Sequence, residues 1–198
     1  MTSVFDLHYP NQSSQVSNSD IRDQIKADWL KSGVDPHLVD LNALPLGGAD
    51  LFDFLYPNPK RINSGRLNSY YLKLWYKCSK AAGWLCNGRF RQITGKPIKV
   101  DKKGRVQRYF NPQGGKAPIT FLRVPLHIWQ KVAERNGKSM PEHVELTADG
   151  EALGFWDWVL DEGIPVELTE GEKKAGCLLT HGYAAISVPG INMGYRSI

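Results

Sequence analysis

The chain has 198 residues, 41% of them apolar, and a formal charge of +5, enough for one ordinary globular domain or two small ones with real cores. No apolar run approaches the roughly 18 residues of a membrane span, and the N-terminus lacks the basic-then-apolar order of a secretory signal. A soluble, cytoplasmic protein without membrane partners is therefore expected. Cys78, Cys86 and Cys177 are odd in number and show no CxxC spacing, which argues for buried thiols rather than disulfides or structural zinc.

The modest net charge conceals a segregation. Between Lys60 and Lys116 stand fifteen Lys or Arg and a single acid, Asp101, leaving ten basic and nineteen acidic residues elsewhere. Charges so concentrated repel one another in a compact state unless a polyanion or an acidic surface answers them. Nucleic acid is the usual polyanion, and DNA is the partner expected here.

In chain order, residues 1–18 are rich in Ser, Asn and Gln and read as a disordered or loosely docked arm. Residues 19–59 read as a helical N-terminal segment, with Ser19 or Asp20 capping a helix to Lys31 and a helical turn over Leu51 to Leu55. The breaker-rich run Tyr56 to Gly65 marks the expected boundary.

Residues 60–118 read as a basic nucleic-acid-binding module. Its helix is predicted over about Arg66 to Ala82, ending at Gly83. At 100° per residue, Leu67, Tyr71, Leu74, Trp75 and Cys78 share one face, and Arg66, Ser69, Lys73, Lys77 and Lys80 form a stripe opposite. Alone, that stripe has a simpler reading as a solvated helix surface. It continues, however, into Arg89, Arg91, Lys96, Lys99, Lys102, Lys103, Arg105 and Arg108. PIKVD and RVQRYFN flank a tip at Lys102, Lys103 and Gly104 and read as a β-hairpin. Its alternation puts Val106, Arg108 and Phe110 on one side and Arg105, Gln107 and Tyr109 on the other. Cations attract phosphate and aromatic faces stack unpaired bases, which suits backbones and single strands better than base-specific readout. Trp75, Trp84 and Phe110 are assigned to the core, so binding falls to Lys and Arg.

Residues 119–198 read as an α/β unit. Ile119 to Pro125 is an apolar strand, Leu126 to Asn136 a helix with Ile128, Trp129 and Val132 inward, and Gly150 to Glu162 a helix whose Trp156 and Trp158 cannot both face inward. IPVELTEG, GEKKAGCLLTHG and YAAISVPG then predict strand, helix and strand, a parallel pair with a helical crossover. Glu170 would end a buried strand at the mouth of a helix, where α/β folds present reactive groups. A carboxylate there also has a simpler role, favouring the helix N-terminus through its dipole, and Glu172 can take the same role.

The run TEGEKKAGCLLTHGYAAISVPG resembles the first half of a Toprim domain, the metal-binding fold of bacterial primases and of type IA and II topoisomerases. FLRVPLHIWQKVAERNG, GEALGFWDWVLDEGIPVELTEGEKKAG and GWLCNGR are more narrowly similar to the Toprim-like domain of cyanobacterial plasmid replication proteins, over about Gly65 to Arg196. That resemblance implies a catalytic, Mg²⁺-coordinating Glu170 followed by Lys173 and Lys174, with other replication proteins as partners. The later DxD pair of catalytic Toprim domains is absent after Gly190, so the implied metal site is incomplete, and a fragment or a shortened, binding-only protein is expected. Asp157, Asp161 and Glu162 would complete it only if the fold brought them to Glu170.

Other catalytic signatures are missing: there is no GxSxG or HExxH, and the five His are dispersed. The expected fold class is α/β or α+β: a helical N-terminal segment, a basic helix plus hairpin, and a partial Toprim-like parallel unit. The leading functional expectation is DNA binding in plasmid or mobile-element replication. The alternatives are a Mg²⁺-dependent primase-like or nicking enzyme centred on Glu170, and an interaction module docking on an acidic protein surface.

Overall fold

A computed structural model describes residues 18–115 and 119–189; the arm expected before Asn18 and the stretch after Pro189 lie outside the described residues. The protein is mixed α/β. Helix α1 spans Asn18–Leu30 and α2 spans Pro36–Asn42. The sequence reading left α2 unassigned, although Asp35 accepts from the backbone N–H groups of His37 and Leu38 and Pro36 fits the first turn. Strand β1 (Leu44–Gly47) leads into α3 (Gly48–Leu55).

The basic segment opens with α4, Ser69–Cys78, capped by the Asn68 side chain on the Tyr71 N–H. This helix is shorter than expected at both ends. Ala81–Cys86 is strand β2, held by β1 on one side and β3 (Arg89–Gly95) on the other. Gly83 is therefore no helix stop. It lies at a register shift in β2, and a Cβ there would come within 1.8 Å of the Arg91 carbonyl oxygen, so only glycine permits the two backbones to pair.

Strands β4 (Lys99–Val100) and β5 (Val106–Gln107) form the expected hairpin. β6 (Tyr109–Phe110) then pairs with β3, giving an antiparallel sheet in the order β1-β2-β3-β6. Helix α5, Leu126–Asn136, buries Ile128, Trp129 and Val132 as expected. Helix α6 is only Phe155–Asp161, because Glu151 and Ala152 are taken by bridges to Pro125 and Leu146. Trp158 goes into the core, and half-buried Trp156 donates to the Leu122 carbonyl. Ile119–Pro125 is extended but carries bridges only at Thr120, to Ser187, and at Pro125.

The parallel pair is present: β7 (Val166–Glu170), α7 (Glu172–Thr180) and β8 (Ala184–Val188), with Val166 opposite Ala184 and Glu170 opposite Val188. Its burial reverses the expectation for β7. β8 is the buried strand, whereas Leu168 in β7 is 67% exposed, because among the described residues β7 pairs only with β8. No helix of the described residues is long and apolar enough to cross a membrane.

The four-stranded sheet separates two cores. Trp84, Cys86 and half-buried Tyr109 join α1, α2, α5, α6, α7 and β8 in the larger cluster. Phe90 and Phe110 join Leu51, Phe52, Tyr71, Cys78 and Ile98 in the smaller one, against α3 and α4. Fully buried Trp29 and Trp84 meet edge to face at 5.1 Å in the larger cluster. Trp84→Ala should cost about 3–5 kcal/mol in denaturant unfolding, and Trp75→Ala, at a half-buried position, should cost less. Equal losses would place Trp75 as deep as Trp84.

Candidate nucleic-acid interface

Hydrogen bonds across the smaller core bring cations of α4 and of residues 96–99 together. The Lys77 ammonium donates to the Ile98 carbonyl at 3.2 Å, and the Lys96 N–H donates to the Lys80 carbonyl at 3.3 Å. The C-terminal half of α4 therefore lies against residues 96–99, gathering Lys73, Lys77, Lys80, Lys96 and Lys99. The hairpin extends this surface through Lys102 and Lys103.

Asp101, the only acid in the basic segment, is consumed in forming that hairpin. One carboxylate oxygen accepts from the backbone N–H groups of Lys103 and Arg105, and the other pairs with the Arg105 guanidinium at 2.7 Å. The Arg105 backbone N–H, then its side chain, hold Asp101 below the ordinary carboxylate range. Twelve of the fourteen described Lys and Arg between Lys60 and Arg108 are exposed, and of the twelve only Arg105 has a carboxylate partner among the described residues. Arg66, Lys73, Lys80, Lys96, Lys99, Lys102, Lys103 and Arg108 are all on this exposed list.

Arg89 and Arg91 are arranged differently. Both leave the far face of β3, half-buried, and enter ion pairs inside the fold: Arg91 with Asp28 of α1, and Arg89 with Glu172 of α7 at 3.3 Å. Lys173 adds a second cation on Asp28 at 2.9 Å, and the Trp84 indole N–H reaches the same carboxylate. The guanidinium of Arg89 lies 4.4 Å from the Tyr109 ring centroid, and that of Arg91 lies 5.5 Å from it. Burial raises the Tyr109 hydroxyl above its ordinary range, partly offset by Arg91.

Glu170, the acid singled out by sequence, is exposed at the end of β7 and has no hydrogen-bond or ion-pair partner among the described residues. The buried carboxylate is Glu172, fully enclosed, with one oxygen on Arg89 and the other without a partner. Gly171 makes the turn between them at φ 93°, a left-handed conformation that a side chain resists. Burial, reinforced by Glu172, pushes the Cys86 thiol far up, so it stays protonated. Among the described residues no three His, Cys, Asp or Glu come together as a metal-binding group. A lone exposed Glu170 does not fit Mg²⁺, which needs several oxygen ligands in octahedral array.

Sequence reasoning missed two features of this interface. Tyr70 and Tyr76 are 61% and 52% exposed on α4, so rings as well as cations face solvent there. The internal ion pairs also escaped notice, because nothing local marks Asp28 or Glu172 as partners for β3.

Residues 155–198 match the family model described as "Domain of unknown function (DUF3854)". The chain is also 34% identical, over 202 aligned positions, to an uncharacterized protein of Picosynechococcus sp.. That alignment takes in 94% of this chain and 19% of the relative, so the chain spans about one fifth of the relative's length. No solved structure matches.

Charge removal should separate the two glutamates. Glu172→Gln strands a buried guanidinium and should cost about 3–5 kcal/mol, whereas Glu170→Gln should stay within about 0.5 kcal/mol. Urea unfolding of the two variants checks this, and equal losses would contradict the assignment.

Proposed function

We propose that the chain binds DNA through the surface made by α4, residues 96–99 and the hairpin, without strong sequence preference, and that it serves the replication of a plasmid or mobile element. The observation that carries the binding reading is the set of eleven exposed cations that no carboxylate of the described residues answers. Replacing counterions along a phosphate backbone is the large favourable term such a surface offers. The replication setting rests on the Toprim-like resemblance and is supported by the order β7, Glu170-Gly171, α7, β8.

The alternative of a basic segment docked on the protein's own acidic parts accounts for few of these charges. Among the described residues only Arg89 and Arg91 reach acids outside the segment, and the exposed surface is untouched by that pairing. A phosphoryl-transfer role for Glu170 would need further oxygen ligands, which the described residues do not bring to it.

If about six phosphates are contacted, log K against log salt should have a slope near −5 for duplex and a shallower one for single strands. Reversing the charge of Lys73, Lys80, Lys96 and Lys102 together should lower affinity at least about tenfold and flatten that slope. All four are exposed and without ion-pair partners, so circular dichroism should show an intact fold. Arg89 and Arg91 are poor choices for this test because of their internal pairs. Unchanged binding by the folded quadruple variant, or acidic proteins binding in place of DNA, would overturn the proposal.

A further inference from the structure

Beside the cationic surface lies a cleft of about 410 Å³ between the end of α3, α4, the hairpin and β6. Tyr70, Leu74 and Lys77 line its α4 side at the four- and three-residue spacing of one helix face. Tyr56 and Phe110 add two more rings to the lining. Tyr70 is 61% exposed and stands at the mouth.

The polar groups in the cleft are amides rather than acids. Gln113 accepts from the Tyr71 hydroxyl and Gln107 donates to the Tyr109 carbonyl, so each is partly satisfied. Asn111 is not: its side-chain carbonyl oxygen is buried and has no partner. A buried acceptor left without a donor costs about 1–3 kcal/mol, and this oxygen is closed to solvent. At the rim are two ammonium groups, Lys77 and Lys99. Lys77 spends one proton on the Ile98 carbonyl and has two to offer.

We propose that this cleft takes one unpaired base of a single strand, with the ring against Tyr70 and the flanking phosphates on Lys77 and Lys99. A ring-shaped ligand with an attached anion matches these groups. The volume falls within the range of small-ligand clefts, roughly 300–1,000 Å³. Burial first, then Cys78, raises the Tyr56 hydroxyl to about 12, so it remains a neutral donor beside the ring. This inference rests on the nucleic-acid reading and deepens it: the exposed lysines hold the backbone, and the cleft distinguishes single strands from duplex, whose bases are stacked and unavailable.

The test uses the full chain and two probes, a short single-stranded oligonucleotide carrying a fluorescent adenine analogue and a duplex of equal length. Binding should quench the analogue in the single strand. Tyr70→Ala, at an exposed position that the fold does not need, should weaken single-strand binding roughly 5- to 100-fold, the range of one stacked base. It should leave duplex affinity within about twofold. Free adenosine monophosphate at equal concentration should compete poorly, because it lacks the neighbouring phosphates. Equal loss for both probes, or undiminished single-strand binding by folded Tyr70→Ala, would overturn the cleft inference while leaving DNA binding intact. Competition by mononucleotide as strong as by the oligonucleotide would also overturn it, assigning the cleft to a free nucleotide. Failure of both probes to bind the unaltered protein would overturn the underlying reading instead, and the cleft with it.

Discussion

Side chains along β3 leave the sheet alternately, so Arg89 and Arg91 enter one layer while Phe90 and Gln92 enter the other. On one side Phe90 packs with Phe110 beneath α3 and α4, and the Gln92 carboxamide accepts from the Ile98 N–H and donates to the Lys96 carbonyl. Those two bonds fix residues 96–98, hence where Lys96 and Lys99 stand relative to α4. On the other side two guanidinium groups are carried into a layer built from α1 and α7. A one-residue slip would put two arginines among the phenylalanines and break both layers at once.

The arginines would be costly in that layer without partners. Desolvating an ion pair consumes much of its attraction, so such a pair adds little net stability but penalises any arrangement in which one partner is missing. Asp28 receives two cations and an indole N–H, whereas Glu172 receives only Arg89 on one of its oxygens. The first site is a nearly satisfied cluster, and the second keeps a buried oxygen without a donor. The Tyr109 ring lies against both guanidinium groups, offering its electron-rich face where full hydration is lost. Sequence-remote parts of the chain are thereby fixed to the sheet by charge as well as by apolar packing.

Much of this was legible in the sequence, and the parts that were not have physical reasons. Periodicity located α1, α4, α5, α7 and the parallel pair, because each has a one-sided apolar pattern. It overran α4 because AAGWLC continues an apolar face that in the fold belongs to β2, where pairing with two strands outweighs helix propensity. It buried β7 because PVELTEG alternates like a strand, yet alternation says nothing about how many neighbours a strand has. The cations were visible as a count, and their division into an exposed set and the internal pair Arg89 and Arg91 was not. That division depends on Asp28 and Glu172, which lie 63 and 83 residues from their partners. Glu170 drew notice through its motif, while the neighbouring carboxylate that the fold encloses carries the ion pair.

The two residues of β6 show how the fold keeps its candidate chemistries apart. Tyr109 turns toward the arginines and the Gly171 turn, where a Cβ on Gly171 would come within 4.0 Å of its hydroxyl. Phe110, the next residue, turns the other way and lines the cleft beside Tyr70. One strand therefore walls off a charged, internally neutralised layer from a surface whose charges are unanswered. Asp101, the acid of the basic segment itself, is already held by its own turn. Had Glu170 or Glu172 faced the cleft, their negative charge would have opposed an anionic strand there. The alternation that buries the arginines also keeps Asp28 and Glu172 on the opposite side of the sheet from Phe90 and α4.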